Sequence, residues 1–176
     1  MKNLKFKCSL LTDVILNVKS ASEGANSTLD FIPGNCFLGI VASQLYGSVT
    51  NEDAMDLFHN GRVRFGDAHP SKDGMRGQRI PAAFYYAKGD SIYDNCYIYH
   101  HIQDAGNIKA TNGSKAQLKQ SRTGFFIMTE EKGEEVAAEK SFAIKSAYDR
   151  DERRSKDAAM FGYESLSKGM KLLFSV

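Results

Sequence analysis

Asp30-Phe31-Ile32-Pro33-Gly34-Asn35-Cys36-Phe37-Leu38-Gly39-Ile40-Val41-Ala42 is the stretch from which the rest of the chain is read. An apolar pair runs into Pro33-Gly34, and a helical pattern opens at once. Pro33 fixes φ and suits the first position of a helix, while Gly34 admits another backbone at close range. From Phe37 the apolar residues Phe37, Ile40, Val41 and Leu45 recur at helical spacing, with small Gly39 and Ala42 between them. A glycine turn at a helix N-terminus offers unpaired N–H groups and the positive end of the helix dipole, where phosphate binds well. The same residues also describe an ordinary strand-to-helix turn. The stretch alone leaves both readings open.

Around this helix the composition is that of a soluble globular protein. The 176 residues suffice for one domain with a core, or for one domain carrying a large insertion. A formal net charge of +2 neither requires nor excludes nucleic acid, because local clustering matters more than the sum. Cys8, Cys36 and Cys96 are odd in number, widely spaced and set in apolar runs. No pair has zinc-ligand spacing, so they read as reduced thiols of a cytoplasmic protein, with no metal and no cofactor. The N-terminus alternates charged and apolar residues, and no apolar run approaches the roughly 20 residues that span a bilayer. The composition therefore points to a cytoplasmic protein with no membrane partner.

Taken in order, Leu4, Phe6, Cys8 and Leu10 alternate with Lys5, Lys7 and Ser9, the period of a half-buried strand. Val14-Ile15-Leu16 continues it or makes a short second strand, and Lys19 to Thr28 reads as a mobile loop. After the helix of the opening stretch, Thr50 or Asn51 caps a second short helix with Glu52 and Asp53 in its first turn. Arg62 to Pro70 alternates as a strand that breaks at the proline, and Ser71 to Arg79 reads as a polar loop. Ile80 to Tyr86 and Tyr93 to Ile102 have strand composition. Ala105 to Thr129 contains no acidic residue, and Phe125-Phe126-Ile127 in it begins a strand. Ser141 to Tyr148 is again a strand. The charge run Asp149-Arg150-Asp151-Glu152-Arg153-Arg154 follows, and then two strand pieces flank a Lys168-Gly169 turn.

Three sets of residues carry candidate chemistry. The acid-free segment holds Lys109, Lys115, Lys119 and Arg122 among Asn, Gly, Ser and Thr, and such a loop can follow a single-stranded phosphate backbone. The charge run has two readings of equal weight: a solvated face of local ion pairs, or Arg150, Arg153, Arg154 and Lys156 reaching phosphates. His100 and His101 point to opposite faces of a strand, and His69 is a turn residue beside Asp67 able to carry a proton. No nucleophile or base stands in a recognisable constellation, so no catalytic residue is assigned; His69, His100 and His101 remain the alternatives.

Three motifs occur in order: Phe31-Ile-Pro-Gly-x-x-x-x-Gly39, then Leu57-Phe-x-x-Gly-x-Val-Arg-Phe-x-Asp-Ala-x-Pro70, then Asp149-Arg150 with Phe161-x-Tyr-Glu-x-Leu-x-x-Gly169. This set resembles the RAMP superfamily of CRISPR-associated RNA-binding proteins, nearest to type III (III-D-like) effector subunits. The resemblance implies an α+β, ferredoxin-like (RRM-like) core from about 1–49 and 140–176, with an insertion over about 50–139. Leu4–Leu10, Ser141–Tyr148 and Met170–Val176 would be its first three strands and the Gly39 helix its first helix. Relatives often carry Lys or Arg just before the last Gly of the first motif, where this chain has Leu38. The second helix and fourth strand of such a core are missing, so the chain looks like an N-terminal portion of a longer protein. A partner chain or self-association would then complete the fold.

The function implied is a non-catalytic, guide-RNA-binding subunit or domain of an antiviral type III effector complex, bound to CRISPR RNA and neighbouring subunits. The alternative is a metal-independent endoribonuclease of the same superfamily that processes CRISPR RNA. The RNA-binding residues expected are Gly34, Asn35, Cys36, Lys115, Lys119, Arg122, Arg150, Arg153 and Lys168.

Overall fold

The alternating run at the N-terminus forms a strand, Lys5–Ser9, as its period of two dictates. A computed structural model describes residues 2–19, 25–88, 99–100, 117–120, 124–128 and 133–176, and the elements named are those of these described residues. In chain order the strands are β1 (Lys5–Ser9), β2 (Ala25–Asn26), β3 (His69–Lys72), β4 (Met75–Arg76), β5 (Gln78–Arg79) and β6 (Phe84–Ala87). There follow β7 (Tyr99–His100), β8 (Leu118–Gln120), β9 (Phe125–Met128), β10 (Gly133–Val136), β11 (Lys140–Asp149), β12 (Arg154–Leu166) and β13 (Lys171–Ser175). Helix α1 spans Gly34–Leu45, and α2 (Asn51–Ala54) continues into a π-helical turn, Met55–His59. The fold is mixed helix and sheet, dominated by strands. It divides into two compact units: Met1–Ala68 with Ala138–Val176, and His69–Ala137.

In the first unit β1 pairs antiparallel with β13, joining opposite ends of the chain, with Phe6 opposite Phe174 and Cys8 opposite Leu172. These four residues share a face by strand alternation. Phe174 stacks on Phe6 at 5.2 Å between ring centroids and on Phe37 of α1 at 4.0 Å. The core is Leu10, Ile32, Ala68, Leu166, Met170 and Leu172, with Cys36 and Phe37 of α1 packed on it. The apolar stripe of α1 is only partly covered: Ile40 is 57% exposed and Leu45 43%. Thr50 caps α2 as anticipated, its hydroxyl oxygen accepting from the Asp53 N–H at 3.1 Å.

The Ser141 strand departs from the place that a ferredoxin-like order gives it. β11 forms a long antiparallel hairpin with β12, and the other neighbour of β12 is β2, in parallel. The reason is local. The charge run makes a tight turn in which the Asp149 carboxylate accepts from the Asp151 and Glu152 N–H groups. That turn sends the chain straight back along β11.

The hairpin is tied down at its base by Glu164, whose carboxylate accepts from the Thr28 N–H and from Lys140 Nζ, both at 3.0 Å. Thr28 is buried, and its hydroxyl bridges the N–H and C=O of Leu16. The end of the stretch expected as a mobile loop, Ala25 to Thr28, is thereby held between Leu16 and β12, while residues 20–24 lie outside the described residues. Just beyond this base the Lys168-Gly169 turn forms as read, with Gly169 at φ 88°.

In the second unit, β9 lies between β10 and β5, and β6 lies between β7 and β8. Phe125, Phe126 and Ile127 are its buried residues on β9, and Phe84 meets Phe126 at 5.6 Å between centroids. The stretch read as a polar loop contains a hairpin instead. β3 pairs with β4 through Asp73-Gly74, both at positive φ. Asp-Gly between strands is the sequence signal for that two-residue turn. Pro70 is accommodated inside β3, and its carbonyl accepts from the Gly77 N–H at 2.8 Å.

Candidate nucleic-acid interface

The N-terminus of α1 is the first place to look for a phosphate. Pro33 is the N-cap, with extended backbone and no side-chain cap of its own. The Gly34 N–H donates to Asp67 Oδ1 at 2.8 Å. A carboxylate supplied from a distant segment thus satisfies one of the orphan donors and neutralises the positive end of the helix. The Cys36 N–H turns back to the Pro33 carbonyl at 3.0 Å, and Asn35 is exposed. The close backbone approach anticipated at Gly34 is made by the chain itself. A Cβ on Gly34 would lie 2.0 Å from the Phe65 carbonyl oxygen.

The β1–β13 ladder offers a second surface. Its face away from α1 carries Lys5 opposite Ser175, Lys7 opposite Leu173 and Ser9 opposite Lys171. Lys5, Lys7, Ser9 and Lys171 are exposed, and neither strand contains an acidic residue. Three ammonium groups therefore stand on one face of one ladder. The alternation in Leu4–Leu10 already placed Lys5 and Lys7 together, but Lys171 joins them only through the pairing of the chain ends.

The other anticipated RNA-binding residues are dispersed. Lys168 is exposed at its turn, and its N–H donates to Asp13 Oδ1 at 2.8 Å. Arg150 and Arg153 are exposed at the tip of the β11–β12 hairpin, and Arg153 has φ 51°. Lys119 lies on β8 with its ammonium 5.8 Å from the centroid of the Tyr86 ring. Lys115 and Arg122 lie outside the described residues.

The histidines are placed unevenly. His69 is half-buried on β3, where Nδ1 donates to the Gly77 carbonyl at 2.8 Å and the ring rests 4.7 Å from Phe125. Those contacts hold it as a packed, hydrogen-bonded side chain. His100 lies in β7, and His101 is outside the described residues. His59, at the end of the π-helical turn, meets the Tyr46 hydroxyl through Nε2 at 3.0 Å. Burial raises the Cys8 thiol above its ordinary range, away from the reactive thiolate. Among the described residues no group of three His, Cys, Asp or Glu is placed to hold a metal ion, and no helix is long and apolar enough to cross a membrane.

No family model matches the chain, and no curated protein matches it.

Proposed function

We propose that this chain is a non-catalytic, guide-RNA-binding subunit or domain of a type III CRISPR effector complex, built on a ferredoxin-like RAMP core. The observation that carries the reading is the exposed face of the β1–β13 ladder, with Lys5, Lys7 and Lys171 and no acid in either strand. Three ammonium groups spaced along paired strands suit successive phosphates of a single strand. Ser9 and Ser175, on the same face, add hydroxyls able to bond phosphate or a ribose 2′-OH. Beside this stand the three motifs of the sequence and the antiparallel partnership of β1 with β13, which suits the first and third strands of such a core. In this reading the protein works in the cytoplasm beside other effector subunits.

Binding of single-stranded repeat RNA, followed by fluorescence anisotropy across a salt series, tests the proposal. For single strands log K falls by roughly 0.7 per neutralised phosphate for each decade of salt. Changing Lys5, Lys7 and Lys171 together to Ala reduces that slope by about 2. A slope left unchanged overturns the assignment of this face. Discrete RNA cleavage products in EDTA would overturn the non-catalytic reading in favour of the endoribonuclease.

A further inference from the structure

The β11–β12 hairpin exposes apolar side chains that neither its own unit nor the RNA reading uses. Phe142 is 60% exposed, Ile144 61% and Met160 64%. The ladder sets Phe142 opposite Glu164, Ile144 opposite Gly162 and Ser146 opposite Met160, so all three apolar side chains share a face. Among the described residues β11 has a strand neighbour on one side only, β12. Its outer backbone edge is therefore a template for another strand. From Lys140 to Ser146 the strand is regular, and a bulge then interrupts it between Ser146 and Tyr148.

We infer that β11 pairs with β11 of a second copy of this chain, antiparallel about a two-fold axis at Ala143. Two three-stranded sheets then join into one of six strands. In that register Phe142 of each copy lies opposite Ile144 of the other, an aromatic–aliphatic pair made twice. Ser141 lies opposite Lys145 and Lys140 opposite Ser146, so no like charges face each other. Shifting the axis to Ile144 would set Phe142 against Ser146 and bring Glu139 against Asp149. The register is thus chosen by the residues. The covered strand edges and the two Phe142–Ile144 pairs make a small interface, held chiefly by the backbone ladder. The bulge ends the pairing, and the isologous contact consumes both edges, so assembly stops at two. This inference does not depend on the RNA reading.

Sedimentation velocity of the full chain through the micromolar range tests it. The expected result is a concentration-dependent shift from 19.5 kDa toward twice that mass. Ile144→Lys, at an exposed position, abolishes the shift with circular dichroism and melting temperature unchanged. An Ala143→Cys variant forms a covalent dimer under mild oxidation beyond the background of the native protein. Ser141→Cys does not, because in this register its two copies stand about 14 Å apart, too far for a disulfide. A monomer at all concentrations, a dimer indifferent to Ile144→Lys, or equal cross-linking at 141 and 143 overturns the proposal. If Ile144→Lys fails to fold, the cysteine pair decides.

Discussion

Gly34→Ala is the sharpest test of how the helix is seated. The added Cβ would lie 2.0 Å from the Phe65 carbonyl oxygen, 2.8 Å from its carbon and 3.1 Å from the Gly66 carbonyl carbon. An ordinary carbon–oxygen contact is about 3.3 Å, so the two segments must part by roughly 1.3 Å. All three atoms are backbone and cannot swing aside. Overpacking of this kind costs about 1–3 kcal/mol. Parting the segments also strains the Gly34–Asp67 hydrogen bond, whose charged acceptor makes it worth about 1.5–3 kcal/mol. The entropic gain of replacing Gly by Ala, about 0.4–1 kcal/mol, is too small to offset these terms. The expected loss is about 3–5 kcal/mol, or a fall in melting temperature of roughly 6–20 °C for a chain of this size. Urea and thermal unfolding followed by far-UV circular dichroism measure it. Gly39→Ala in the same helix is the control, since nothing lies within 4 Å of its Cβ. It stabilises by about 0.5–1 kcal/mol through helix propensity. A Gly34→Ala protein within about 0.5 kcal/mol of the parent, or a Gly39→Ala protein equally damaged, would refute the reasoning.

Two further outcomes follow from the base of the hairpin. Thr28→Val leaves the Leu16 N–H without its hydroxyl acceptor in a buried site and costs about 1–3 kcal/mol, whereas Thr28→Ser keeps the hydroxyl and loses about 0.8 kcal/mol for one methyl. Equal urea midpoints for the two variants would sink that account. The second outcome is a pH dependence. The hydrogen bond from Lys140 to Glu164, helped by the Thr28 N–H, holds the Glu164 carboxyl below its ordinary 4.5. A depressed folded-state pKa contributes stability that is fully present above the unfolded value and lost as pH falls through the folded one. The stability gap between the parent and Glu164→Gln is therefore constant near neutrality and shrinks below pH 4.5. A gap independent of pH would exclude the linkage.

Much of the local structure was legible in the residues. The period of two in Leu4–Leu10, the strand read at Ser141–Tyr148, the helical spacing after Phe37, the Thr50 cap and the Lys168-Gly169 turn each follow from hydrogen-bonding and packing demands within a few neighbouring residues. Asp73-Gly74 was equally readable as a hairpin turn, and the polar composition around it obscured the signal. The lysine face was half legible, because alternation groups Lys5 with Lys7 but says nothing about which strand lies alongside. That Lys171 completes it, that Asp67 caps α1, that the Phe65 backbone fills the space against Gly34 and that β11 pairs with β12 were decided by tertiary structure. The physical reason is that a periodic pattern fixes which side of an element is apolar. It does not identify the distant backbone that will meet its hydrogen bonds, since many segments satisfy the same local rule and only one arrangement buries Leu166, Leu172 and Ala68 together.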